Sequence, residues 1–375
     1  MSKKDDIYHY EEDFHARDRK QHRKERKIAV QKDRSKYKKS DQDQLKKNTP
    51  RTAIDASLPK GRVIAILPEG IIVKTEEKEI LCSLKGALKQ DKSRTKNLIA
   101  VGDFVRFEDK GQEQGIISSI EERTSILSRA DNLSRNKEQL IAVNIDQVII
   151  TSSVLIPNLK PPLVDRYIIA TDKGNMQPLL VVNKIDLLTH PPEHTTKEEL
   201  AQEKEIYDAF VQAYRALGIQ VIPVSAATQE GIEELKAAMR NKTSVFSGQS
   251  GVGKSSLINL VAGTSLATGS IVQSTRKGSH TTTTTHLVPL EGGGFCIDTP
   301  GIKSFGLWDL EAQDLAAYYP EITELSSECR FPDCSHQTEP GCRVRQAAEE
   351  KEISPLRFAS YCALMTSLSE EHRHR

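Results

Sequence analysis

The stretch Gly248-Gln249-Ser250-Gly251-Val252-Gly253-Lys254-Ser255 fits the pattern G-x-x-x-x-G-K-S. It follows the apolar run Ser244-Val245-Phe246 and precedes Ser256-Leu257-Ile258-Asn259-Leu260, so the spacing predicts strand, loop and helix, the setting a phosphate-binding loop needs. Glycines there let backbone N–H groups turn inward onto phosphate oxygens, and the helix N-terminus adds its dipole. Lys254 is expected to reach the β and γ phosphates and Ser255 to ligate Mg2+, with Gln249, Ser250, Gly251, Val252 and Ser256 completing the cradle.

Outward from this loop the sequence alternates between strand and helix. Strands are expected at Gln147 to Ser152, Pro178 to Val182, Gln220 to Val224, Ser244 to Phe246 and Gly294 to Ile297. Helices are expected at Pro161 to Thr171, Lys197 to Leu217, Gly231 to Arg240 and Gly253 to Val261. Such alternation implies a mostly parallel sheet covered by helices on both faces.

Three of the expected strand ends carry further chemistry. Asn183-Lys184-Ile185-Asp186 follows Leu179-Leu180-Val181-Val182 and fits N-K-x-D. An Asp carboxylate can accept from the N1 and N2 donors of guanine, whereas adenine leaves it poorly paired, so Asp186 decides the base. Ser225-Ala226, after Val224, is expected to support the base through backbone N–H groups. Asp298-Thr299-Pro300-Gly301 follows Phe295-Cys296-Ile297, which places Asp298 for a water-mediated Mg2+ contact and Gly301 where a backbone N–H can sense the γ phosphate. Between the two phosphate motifs lie His280 and five consecutive threonines, Thr281 to Thr285. One of these should complete the Mg2+ shell, with Thr282 and Thr283 favoured; read blandly, the tract is an extended β segment.

The set resembles a guanine-nucleotide-binding domain, but N-K-x-D and S-A precede the phosphate loop here instead of following D-x-x-G. That order is a circular permutation, which a parallel sheet tolerates when the old termini are joined and new ends open at the surface. The segment after Gly301 then runs directly into the C-terminal part of the chain.

That part contains Cys329-x4-Cys334-x-His336-x5-Cys342. Three thiolates and one imidazole at this spacing match a closed, tetrahedral, structural Zn2+ site with no open position. Cys82, Cys296 and Cys362 stand apart and read as buried small hydrophobes. Six cysteines in 375 residues fit a reducing compartment better than a disulfide framework.

Before Arg123 lie five short strand-like segments, Gly61 to Leu67, Gly70 to Thr75, Lys78 to Leu84, Asp103 to Glu108 and Gly115 to Ile120. Five strands in about 60 residues point to a small barrel of the oligonucleotide-binding (OB) type or an SH3-like one. Ahead of them, Met1 to Arg51 holds 17 basic and 10 acidic residues, a net +7, so the rest of a chain whose total is +1 carries −6. With almost no Val, Leu or Phe from Asp13 to Lys47, this tail cannot offset its ordering entropy and is expected to be disordered alone. It reads either as a solvated extension or as an arm that seeks polyanions. No stretch approaches the ~18 uninterrupted apolar residues of a membrane span, and no signal peptide opens the chain, so a cytoplasmic protein without membrane contact is expected.

Permuted GTPase motifs between a five-stranded barrel and a Cys-x4-Cys-x-His-x5-Cys site resemble the ribosome small-subunit-dependent GTPase A family (RsgA, also called YjeQ or EngC). The resemblance spans residues 60 to 375 and implies a multidomain chain: an OB-type β-barrel (59–123), a circularly permuted α/β P-loop GTPase domain (124–307) and a mainly helical zinc-binding domain (308–375); the basic tail ahead of them (1–58) is not part of the family's pattern. It implies a protein that binds the small ribosomal subunit late in its maturation, gripping rRNA through barrel and zinc domains, with GTP hydrolysed to GDP under stimulation by the subunit; a monomer is expected. Carried over, Gly248, Gly253, Lys254 and Ser255 bind phosphate and metal, Asn183, Lys184 and Asp186 bind guanine, and Cys329, Cys334, His336 and Cys342 bind Zn2+. Ile302 stands where a Ras-like enzyme has its water-orienting glutamine. The resemblance makes His280 the replacement, and with Lys254 it forms the expected catalytic pair.

Overall fold

The computed structural model describes residues 54–86, 88, 97–131, 134–263, 285–298, 310 and 312–373. They fall into two compact units, one within Asp41–Trp308 and one within Asp309–Arg375.

The first unit opens with β1 (Lys60–Leu67), β2 (Gly70–Lys74), β3 (Glu79–Leu84), β4 (Phe104–Gly111) and β5 (Gln114–Ile120). Alternate residues along these strands, among them Val63, Val73, Ile80, Cys82, Val105, Phe107 and Ile117, turn inward to one apolar core, the period-2 pattern of strands with one buried face. Neighbours pair antiparallel except β3 with β5, which run parallel, and β4 returns to pair with β1. The five strands therefore close on themselves. Where the chain leaves this ring, Asp103 and Arg123 form a fully buried ion pair, Nε to Oδ1 at 2.7 Å and Nη2 to Oδ2 at 2.8 Å, and Asp103 also accepts the Ala100 N–H.

An antiparallel hairpin, β6 (Ile126–Asp131) and β7 (Ser134–Val143), follows. The sequence reading has strand–helix alternation beginning directly after Arg123 and misses it. The reason is composition: Ser134-Arg135-Asn136-Lys137-Glu138-Gln139 offers no apolar residue from which a period could be read.

The α/β part comprises β8 (Gln147–Ser153), α1 (Pro161–Lys173), β9 (Gln177–Asn183), α2 (Lys197–Ala216), β10 (Val221–Pro223), α3 (Ile232–Met239), β11 (Lys242–Ser247), α4 (Lys254–Ala262), β12 (His286–Pro289) and β13 (Gly294–Asp298). In space the strands run β10-β9-β8-β11-β13-β12. All pairs are parallel except β12 with β13. Every residue of β8 is buried, as a central strand covered on both faces requires. Ile149, Val181, Ile222, Phe246 and Cys296 pack with Leu235 of α3 and Leu257 of α4; Ile150, Leu180 and Val182, one step out of phase, are buried as well.

The chain enters this sheet at its middle, winds outward to β10, then returns to the other side of β8 as β11. That reversal is a topological switch point, and loops at the carboxyl ends of β8 and β11 diverge there to leave a crevice. The antiparallel strand β12 begins at His286; the threonines Thr281 to Thr284 before it lie outside the described residues. Its far edge pairs with β1, Ala65 opposite His286, so that eleven strands form one ladder.

The second unit is built from a 3-10 segment (Ala312–Tyr318), α5 (Pro320–Ser326), α6 (Arg343–Glu349) and α7 (Pro355–Arg373). Its buried side chains include Leu315, Tyr319, Ile322, Val344, Ala347, Tyr361 and Leu364. Arg357 of α7 pairs with Glu321 at 2.9 Å and stacks over the Tyr319 ring at 4.3 Å, fixing α7 to α5. No described helix is long and apolar enough to cross a membrane.

Candidate functional site

The glycine-rich loop leaves β11 at Ser247 and enters α4 at Lys254. Gly248 has φ +139°, and a Cβ on it would sit 2.1 Å from the Thr151 carbonyl oxygen of β8. Gly253 has φ +93° and caps α4, and a Cβ there would meet Asn183 Nδ2 at 2.3 Å. Both positions therefore require glycine, for conformation and for space. Lys254 folds back so that Nζ donates to the carbonyls of Gly248 at 2.7 Å and Gln249 at 2.6 Å, and burial pushes its pKa down. The ammonium thus lies inside the loop, where its charge is available to an anion seated over the α4 N-terminus. Ser255 and Ser256 are exposed on the first turn of that helix.

Asn183, the last residue of β9 and almost fully buried, ties this loop to two others. Its Nδ2 donates to Val252 O at 2.8 Å and its Oδ1 accepts the Ala226 N–H at 3.0 Å. Lys184 follows in the left-handed region at φ +65° and donates from Nζ to Ile156 O in the loop between β8 and α1. Asp186 sits in a 3-10 turn, and its Oδ1 accepts the Ser225 hydroxyl at 2.6 Å. Held this way the carboxylate has a fixed orientation, which a site that accepts paired N–H donors needs.

The Ser225-Ala226 turn that follows β10 is braced from both sides. The Ser225 N–H is committed to Glu230 O at 3.0 Å and the Ala226 N–H to Asn183. What Ser225 supplies toward Asp186 is its side-chain hydroxyl, whose oxygen also accepts the Thr228 N–H at 3.1 Å.

Asp298 ends β13, one step beyond the Val245–Ile297 pair, and this register brings it beside the strand that feeds the glycine loop. His280, Thr282, Thr283 and Gly301 lie outside the described residues. Thr151, whose carbonyl closes the space beside Gly248, and Ile156, which receives Lys184, belong to no motif, and only the topology reveals them.

In the second unit the ligating atoms of Cys329, Cys334, His336 and Cys342, all buried, lie within 4.8 Å of one another. His336 Nδ1 is 3.5 Å from Sγ of both Cys329 and Cys342, and those two sulfurs are 3.9 Å apart. A tetrahedral ion with Zn–S of about 2.3 Å and Zn–N of about 2.0 Å sets S···S near 3.8 Å and S···N near 3.5 Å, so the donors fit the group. Burial raises the Cys329 thiol, but the His336 ring and backbone N–H groups outweigh it and bring it to about 6, while burial pushes Cys334 and Cys342 up. Glu339 braces the ligand loop by accepting the N–H groups of Ser335, Gln337 and Thr338 at 2.7 to 3.1 Å. Among the other cysteines, Cys82 and Cys296 are buried and Cys362 is half-buried.

The family described as RsgA GTPase matches residues 120–308, the span from the end of the barrel ring through the D-T-P-G motif. A small ribosomal subunit biogenesis GTPase RsgA from Chlorobaculum parvum is 42% identical over 283 residues, covering 73% of this chain and 86% of the relative. The crystal structure of YjeQ from Thermotoga maritima superposes with a TM-score of 0.63 at 29% identity, covering 82% of this chain and 98% of that one. YloQ, described as a circularly permuted GTPase, gives 0.62 at 28% identity, with 86% and 99% coverage. A match across the motif-bearing half, identity over most of a full-length relative and a shared backbone agree with the glycine loop, its Asn183 tether and the permuted strand order: the chain belongs to the RsgA GTPase family.

Proposed function

We propose that this chain hydrolyses GTP to GDP and phosphate in the service of small-subunit maturation, binding the subunit and its rRNA and turning over fast only when docked there. One observation carries the nucleotide half of this reading: Asn183 bonds simultaneously to the glycine loop and to the Ser225-Ala226 turn, so phosphate-binding and base-reading loops form one braced crevice. In that crevice Asp186 reads guanine, Lys184 lines the base pocket and Asn183 serves both by holding the loops in register. Gly248 through Ser256 wrap the phosphates, with Lys254 neutralising the developing charge. Ser255, Asp298 and one of Thr282 or Thr283 would hold Mg2+, which would supply Lewis-acid stabilisation of the phosphate charge. His280 orients the attacking water when the chain is docked on the subunit.

The ring of β1 to β5, with its parallel β3–β5 pairing, supports an OB-type barrel at 59–123, ahead of the GTPase domain at 124–307 and the zinc-binding helical domain at 308–375. The Cys3His donor set supports one structural Zn2+ in a reducing, cytoplasmic setting, and we read the protein as a monomer with a basic tail at 1–58. The name of the Chlorobaculum relative supports the choice of subunit.

The test is GTP hydrolysis by the full chain alone and with purified small or large subunits. A large increase with small subunits only is the expected result. No increase with either, combined with GTP-dependent subunit binding, would favour instead a binding module in which GTP is a conformational switch and hydrolysis is incidental.

A further inference from the structure

Ser326, the last residue of α5, has no place in any motif, yet its side chain is buried against His336 with Oγ 3.0 Å from Nε2. We infer that Ser326 is a positioning residue that fixes the metal-ligating tautomer of His336, so that this cluster takes its ion through Nδ1. The inference rests on reading the four donors as a metal site and adds to it the orientation and protonation of the one nitrogen ligand.

A serine hydroxyl has one proton to give. Here it is given to the Ile322 carbonyl, one helical turn back, at 2.7 Å, so toward His336 the oxygen can only accept. The Nε2 atom 3.0 Å away must then carry the imidazole N–H. A neutral imidazole bears one N–H and one lone pair, and the lone pair is left on Nδ1, the atom that faces the Cys329 and Cys342 sulfurs at 3.5 Å each. The reverse assignment fails twice: it aims an N–H at the sulfurs, where no cation could then bind, and it takes the hydroxyl proton away from Ile322 O. Ring rotation offers no alternative, because His336 is 1% exposed, sits at φ +64° and packs beside the Tyr361 ring at 6.0 Å. Tyr361 in turn donates to Ser335 O at 3.1 Å and holds the adjoining backbone. Outer partners of this kind fix ring orientation and raise ligand basicity, and their loss typically costs about 10- to 100-fold in metal affinity.

The experiment measures Zn2+ affinity of the full chain by competition with a chromogenic chelator, for the wild type, Ser326→Ala and Ser326→Thr. Ser326→Ala is expected to bind Zn2+ about 10- to 100-fold more weakly, and Ser326→Thr, which keeps the hydroxyl, to stay within a few-fold of wild type. Equal affinity in wild type and Ser326→Ala overturns the role, as does a threonine variant no better than the alanine one. Because a buried substitution can disturb folding by itself, a second measurement uses the wild type alone. In 15N-histidine-labelled, Zn2+-loaded protein, His336 should show a proton on Nε2 and a metal-shifted Nδ1; the metal on Nε2 overturns the inference while leaving the cluster intact. Wild type that retains no Zn2+ would instead sink the metal reading, and this inference with it.

Discussion

The two glycines that abut the sheet and the one that does not should separate cleanly on replacement by alanine. At Gly248 the new Cβ would lie 2.1 Å from Thr151 O, and Thr151 cannot retreat because β8 is laddered to β9 on one side and β11 on the other. The loop itself must move, by about an ångström, and misplacement on that scale can cost about 100-fold at a reacting site. The φ of +139° adds strain of about 1–3 kcal/mol, and overpacking about 1–3 kcal/mol more. At about 1.4 kcal/mol per decade, Gly248→Ala is expected to lose at least about 25-fold in nucleotide affinity. Gly253→Ala should be nearly as damaging, since the side chain it strikes, Asn183, is pinned at both ends of its amide. Gly251 is different: at φ +84° its Cβ would meet only Pro157 Cδ, at an ordinary 3.6 Å. Strain of about 1–2 kcal/mol is then the whole effect, about tenfold. The assay is titration of a fluorescent GDP in saturating Mg2+, with thermal unfolding of each variant alongside. Gly248→Ala within threefold of wild type, or Gly251→Ala as poor as Gly248→Ala, would refute the packing argument.

Asp186→Asn should weaken GTP binding and improve XTP binding, because an amide can face the C2 carbonyl of xanthine; equal loss of both nucleotides in a competition assay would make Asp186 merely structural. His280→Ala should leave GTP affinity near wild type and lower the subunit-stimulated rate by about 10- to 100-fold, as for a lost positioning group, whereas Ser255→Ala should damage nucleotide and Mg2+ binding; unchanged stimulated turnover would remove His280 from the mechanism. Asp103→Ala removes the carboxylate partner of the fully buried Arg123 guanidinium, leaving it the Leu98 carbonyl at 3.0 Å, and should lower unfolding free energy in urea by about 3–5 kcal/mol; a loss under 1 kcal/mol would mean that water reaches the site. Deleting residues 1–51, which carry a net +7, should flatten the log–log salt dependence of subunit binding by about 0.7–0.9 per lost phosphate contact, and identical slopes would leave the tail a solvated extension.

What could be read from the sequence was chemistry confined to short contiguous stretches. The glycine loop, N-K-x-D and the Cys3His spacing are legible because turn geometry and ligand identity are dictated within a few neighbouring residues. The contacts that complete those motifs are spread along the chain. Ser225 reaches Asp186 across 39 positions and Asn183 reaches Val252 across 69, and no local pattern announces either. The same holds for Ser326 behind His336, an ordinary serine until α5 and the ligand loop are packed together. Strand β12 escapes for a different reason: four residues between a threonine run and the turn at Glu291–Gly293 are too few to display a period.

Why the permuted order costs the site nothing follows from the sheet. Strands β8, β9, β10, β11 and β13 are parallel, so their following loops meet at one edge whichever strand the chain visits first. The outer edge of these α/β strands is β12. An edge strand such as β12 presents unpaired backbone N–H and C=O groups on its outer side; here β1 of the five-strand ring pairs with it. The joint is fixed by Arg62, whose guanidinium lies 5.0 Å from the rings of both Phe104 on β4 and Phe295 on β13 and donates to Asn144 O at 2.8 Å. Burial lowers its pKa, yet a guanidinium stays charged where a buried ammonium would not, and its flat face suits two aromatic neighbours at once. The five-strand ring thereby covers the edge of the α/β sheet as well as closing on itself, with β1 as the shared member, paired to β2 and β4 in the ring and to β12 in the sheet.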